Sequence, residues 1–121
     1  MLNKVAYLET TEKSYPMMFT LNVIEDIQET FGSLENWENE VMPKDGEPNI
    51  KSFKKTIAFM INEGIDFENE EKNKKEPFVT EKKVGRIITA VGFGKTNEIF
   101  AQLVRDSNVT TEKNVETPEN Q

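Results

Sequence analysis

The chain contains no cysteine and no histidine. Disulfides, thiol nucleophiles and Cys/His zinc sites are excluded by that absence. A Ser-His-Asp arrangement lacks its base for the same reason. Arginine is scarce, with only Arg86 and Arg105 present. Against 22 acidic residues, the 15 basic ones leave a net charge of -7. Binding to double-stranded DNA rests on neutralising phosphates with Lys and Arg, so no nucleic-acid partner is expected. The plainest use of the acidity is solubility, and the alternative is steering toward a basic partner. Long hydrophobic runs are missing too. Nothing approaches the roughly 20 apolar residues of a membrane span. The opening MLNKVAYLETTEK turns polar before an apolar segment of signal-peptide length. The composition therefore predicts a cytoplasmic protein with no membrane partner.

What is present is a series of amphipathic segments. At 121 residues the chain has the length of one ordinary domain. Lys4–Thr10 and Ser14–Thr20 are rich in strand-favouring residues and flank Thr11–Lys13, which predicts a hairpin. Pro16 cannot donate to a ladder, so the second strand is expected either at an edge or to start late. A first helix is expected from Asn22, capped with the help of Glu25, with Val23, Ile24, Ile27 and Phe31 on one face. Gly32 suits its stop. Ser33 caps a short second helix carrying Leu34, Trp37 and Val41, and the turn-rich MPKDGEP follows. A third helix is expected from about Asn49 to Glu63 with Gly64 as its stop, and Ile50, Phe53, Ile57, Met60 and Ile61 form its stripe. The charged run from Ile65 to Phe78 reads as a loop. Thr80 caps a fourth helix with Val84, Ile87, Ile88 and Val91 inward. Gly92–Gly94 breaks it, and Thr96 caps a fifth with Ile99, Phe100, Leu103 and Val104 inward. Residues 106–121 hold two valines and no aromatic, a composition that predicts a disordered tail. The expected architecture is mainly α: one domain over residues 1–105, of four to five helices with a short N-terminal β-hairpin, then the tail.

The chemical motifs are weak. Gly94-Lys95-Thr96 matches the end of a P-loop, but Thr89 stands where the earlier glycine belongs and a helix, not a strand, is expected ahead of it. Carboxylates alternate through Asp66–Glu71 as in a calcium loop, but Glu71 replaces the required glycine and Pro77 the bidentate Glu. Glu25, Asp26 and Glu29 read as solvating charges on a helix face rather than an acid–base pair. No catalytic, cofactor or metal residue is assigned. The candidate partner-binding residues are Trp37, Phe67, Phe78 and Phe93. For Trp37 the plainer reading is packing against the first helix, and the functional one is an interface anchor. The three phenylalanines fall in predicted loops or breaks, where several exposed aromatics can line a groove for a partner helix or extended peptide.

The order of these parts resembles the tail assembly chaperone family of long-tailed bacteriophages and related prophages. The resemblance spans about residues 4–105. It is carried by the hairpin, by YPMMFTLNVIEDIQETFGS with its Phe31-Gly32-Ser33 ending, and by a middle helix ending in the turn Asn62-Glu63-Gly64-Ile65. A Thr-Glu-x-x-Val-Gly unit at Thr80, Glu81, Val84 and Gly85 completes it. The resemblance implies a mostly helical viral protein without enzymatic activity. It implies binding to the tape measure protein, keeping it soluble, recruitment of tail tube subunits, and absence from the finished virion. A longer form made by ribosomal frameshifting is common in the family. Two other functions remain open on the residues alone: a structural tail or head-completion protein, and a small regulatory module. Spare apolar faces also leave homo-oligomer formation open.

Overall fold

A computed structural model describes residues 4–107. The hairpin forms as expected, with β1 (Ala6–Glu9) antiparallel to β2 (Ser14–Met17), Leu8 opposite Tyr15 and Tyr7 opposite Pro16. Thr10 closes the turn: its hydroxyl donates to the Lys13 carbonyl at 2.9 Å and accepts from the Lys13 N–H at 3.1 Å. Such a ribbon is marginal alone. Here Leu8, Tyr15, Met17 and Met18 are buried, and the Met18 N–H donates to the Met60 carbonyl of a long helix at 3.1 Å. The second strand thus meets a helix along its outer side, where Pro16 has no N–H to leave unpaired.

Among the described residues five helices follow: α1 (Leu21–Phe31), α2 (Leu34–Val41), α3 (Ile50–Lys72), α4 (Glu81–Val91) and α5 (Phe93–Ser107). The domain is mainly α. Ser33, Asn49 and Thr80 cap α2, α3 and α4 through their side-chain oxygens, as helix-starting residues of these types do.

The cap of α1 differs from expectation. Thr20, not Asn22, accepts from the Val23 N–H, and its hydroxyl also donates to Glu63 at 2.8 Å. Asn22 lies inside the first turn and reaches the same carboxylate at 3.1 Å. Burial of Met18 and Phe19 brings the chain into the helix two residues earlier than the local pattern suggests.

The largest correction concerns α3. It does not stop at Gly64 but runs 23 residues, to a C-cap at Asn73 with left-handed φ of 53°. Gly64 is interior because β2 crosses there. A Cβ at this position would stand 2.7 Å from the Pro16 carbonyl carbon and oxygen. The glycine marks a close approach of backbones, not a helix end. Most of the expected loop after Ile65 is therefore helix.

At the other end, α4 and α5 are separated by Gly92 alone, with φ of 104°. Thr96 is not the cap of α5 but a buried interior residue whose hydroxyl donates to the Gly92 carbonyl at 2.9 Å. The expected tail begins too early: Asp106 and Ser107 close α5, where Asp106 pairs with Lys4 at 3.4 Å. The remainder of the tail lies outside the described residues.

A single apolar core joins hairpin and helices. Its spine is a run of rings. Phe19 stacks on Trp37 at 5.8 Å, Trp37 meets Phe100 edge-on at 6.2 Å, and Phe100 meets Phe53 at 5.6 Å. Aromatic pairs in these geometries add about 0.5–1.5 kcal/mol each beyond area burial.

Candidate partner-binding surfaces

The four candidate aromatics part company in the fold. Trp37 is fully buried at the centre of the ring run, and its indole N–H donates to the Thr56 hydroxyl at 2.9 Å. That hydroxyl in turn donates to the Ser52 carbonyl at 2.9 Å. Trp37 consequently has no surface to offer a partner, and its packing role replaces the anchor role. Phe67 stands half-buried on α3 rather than in a loop. Phe78 is 61% exposed in the extended segment before α4. Phe93 opens α5, 37% exposed, with its ring 4.9 Å from that of Phe53. It is the outer end of the ring run.

Phe78 stands on the wall of a cleft of about 590 Å³. The hairpin turn and start of β2, the second half of α3, and residues 74–80 enclose it. Tyr15, Pro16, Ile65, Pro77, Phe78 and Val79 supply apolar surface, and Glu12, Lys13, Glu68 and Lys83 supply charge. The wall opposite α3 is extended chain, which Pro77 enforces on Glu76. Two asparagines of α3 hold it. Asn62 donates to the Val79 carbonyl at 3.0 Å and accepts from the Val79 N–H at 2.8 Å. Asn69 does the same for the Glu76 carbonyl and N–H, both at 3.0 Å. Seven residues apart, they lie on one face of the helix. Each side-chain amide satisfies both backbone groups of one residue, as a neighbouring strand would.

Sequence reasoning missed both asparagines, because an asparagine in a helix announces no partner. The available signal was their spacing ahead of a Glu-Pro step. Lys13 joins the hairpin to the same segment by a bond to Glu76 at 3.0 Å. That bond, then the lysine's charge, holds the Glu76 carboxyl below its ordinary range. Tyr7 donates to Glu68, and this bond, with burial next, raises the phenol's pKa.

A second, smaller groove of about 380 Å³ lies between α3, α4 and the start of α5. Ile50, Phe53, Ile88 and Phe93 line it, with Lys54 and Gly85 between them. Ile50 is 56% exposed.

The carboxylates noted in the sequence build no reactive arrangement. Asp66–Glu71 lies within α3, whose helical backbone cannot wrap as a calcium loop does. Asp26 has its pKa raised, first by partial burial and then by the charges of Glu25 and Glu63. It faces no cleft-lining acid or base. Among the described residues no group of three or more metal-ligating side chains comes together, and no helix is long and apolar enough to cross a membrane. Comparison of the chain with protein-family models, curated proteins and solved structures gave no match.

Proposed function

We propose that the protein is a tail assembly chaperone of a long-tailed phage or related prophage. In this reading it is non-enzymatic and acts in the host cytoplasm. It binds the tape measure protein, keeps it soluble, helps bring tail tube subunits to it, and is left out of the finished virion. Support comes first from the resemblance over residues 4–105. The segments that carry it form the hairpin, the Phe31-Gly32-Ser33 boundary between α1 and α2, and the start of α4 at Thr80. The middle helix departs from it by continuing through Gly64.

The observation that carries the reading is the Phe78 cleft. A cleft in which Tyr15, Pro16, Ile65, Pro77, Phe78 and Val79 lie among charges of both signs, beside a largely exposed phenylalanine, can take an apolar segment of a long partner. A chaperone of this kind must cover apolar side chains that would otherwise drive aggregation.

The test is co-expression with fragments of a phage tape measure protein. The expected result is a soluble complex whose yield falls on Phe78→Glu. Equal insolubility of the fragments with and without the protein would refute the reading. Recovery of the protein in purified virions would favour a structural tail or head-completion role instead.

A further inference from the structure

The groove beside Phe93 differs in charge from the rest of the molecule. Residues 50–62 and 82–97 contain none of the 22 acidic residues but seven of the 15 basic ones. These stretches are the first half of α3, nearly all of α4 and the first turn of α5, and they supply every residue that lines the groove. An acidic protein therefore carries one cationic face, and an apolar trough lies in it.

The cations are well placed to border that trough. Lys54 lies over Gly85, its Nζ 3.6 Å from where a Cβ would stand. Its stem and its ammonium both rest against Gly85, within the lining of the groove. Lys51 stands one turn before Lys54 on α3. On α4, Lys82 and Arg86 stand one turn apart along the flank of Gly85 and Thr89. Lys55 is engaged by Glu81 at 3.0 Å. Among the described residues, Lys51, Lys54, Lys82 and Arg86 have no carboxylate within ion-pair distance.

The backbone around the groove narrows the occupant further. All its lining residues belong to helices, where most of their amides and carbonyls are spent; the exceptions are the first-turn amides of Ile50 and Phe93. An extended peptide would find few main-chain partners there. A helix, which satisfies its own backbone, needs none and presents side chains at the spacing of one apolar stripe.

We propose that this groove docks an amphipathic helix of another protein whose apolar stripe is bordered by Asp or Glu. Ile50 and Phe93 take the stripe, and Lys51, Lys54, Lys82 and Arg86 meet the carboxylates. The site is separate from the Phe78 cleft and does not rest on the chaperone reading.

The test uses a fluorescein-labelled peptide of about 20 residues, long enough to be helical, with a leucine stripe flanked by Glu. Its twin has Lys in place of every Glu. Fluorescence anisotropy with the full chain should show the Glu peptide binding at least about tenfold more tightly than the Lys peptide, with the preference shrinking at high salt. The double variant Lys54→Glu/Arg86→Glu should reverse the preference, and so should the more exposed pair Lys51→Glu/Lys82→Glu, each checked for unchanged helicity. Phe78→Glu should leave it intact. Equal binding of the two peptides, or a preference untouched by both charge swaps, would overturn the proposal. Concentration-dependent oligomers abolished by the same swaps would overturn it too, by assigning the groove to a second copy of the chain.

Discussion

Replacing Gly64 with alanine sets two effects against each other. Within a helix, glycine to alanine ordinarily stabilises by about 1 kcal/mol, because glycine has more backbone freedom to lose. At position 64 the added methyl would lie 2.7 Å from the Pro16 carbonyl carbon and oxygen and 3.0 Å from its Cβ. Those are backbone and ring atoms that no rotamer change can move. Strand β2 must therefore shift from α3. Overpacking of this kind costs roughly 1–3 kcal/mol. The shift also stretches the 3.1 Å bond from the Met18 N–H to the Met60 carbonyl, which contributes about 0.5–1.5 kcal/mol. The net expectation is a loss of about 1–3 kcal/mol, opposite in sign to the propensity effect. Gly85→Ala is the internal control. Its Cβ meets only the Lys54 side chain at an ordinary 3.6 Å, so it should stabilise by up to about 1 kcal/mol. Urea unfolding followed by circular dichroism reads both. A Gly64→Ala protein as stable as the parent, or more so, would refute the close crossing of β2 over α3.

Asn62→Ala should cost about 1–3 kcal/mol, because it strips the part-buried Val79 amide and carbonyl of their partner. Asn69→Ala should cost less, since its bonds to Glu76 are exposed, and hydrogen exchange should show residues 74–79 loosening in both. Trp37 emission should be blue-shifted and shielded from acrylamide, and Trp37→Ala should cost about 3–5 kcal/mol; red emission from the native state would contradict its burial. Glu76 has a lowered folded pKa, so its contribution is present above its unfolded pKa and lost as pH falls through the folded one. Glu76→Gln should then lower the urea midpoint at neutral pH and converge with the parent in acid. Asp26 has a raised folded pKa, so its ionised form is a cost at neutral pH that protonation relieves. Asp26→Asn should raise the neutral midpoint, with the gain shrinking as pH falls.

The legible part of the fold was whatever local rules decide. The stripes Val23-Ile24-Ile27 and Val84-Ile87-Ile88 are buried as their spacing requires, and Ser33 and Thr80 cap as their types suggest. The misread parts were decided by contacts distant in sequence. Gly64 resembles a helix stop until Pro16, 48 positions earlier, is seen pressed against it. Thr96 resembles a cap until Gly92 alone is seen to separate the last helices. The placement of the candidate aromatics was half legible. Phe78 and Phe93 remain at the surface because they end or flank elements, whereas Trp37 is drawn inside by Phe19 and Phe100. Asn62 and Asn69 carry no signature of their role beyond their spacing ahead of the Glu76-Pro77 step, since a helical asparagine pairs with whatever backbone the fold delivers.

The central claim is that an apolar segment of a long partner is covered by the Phe78 cleft. Its most direct measurement is the soluble fraction of tape measure fragments expressed with the parent protein, with Phe78→Glu, and alone. Solubility rescued by the parent and lost with Phe78→Glu, while the variant itself stays folded, is the predicted result. Fragments that remain insoluble beside the parent, or that Phe78→Glu rescues equally well, would contradict it.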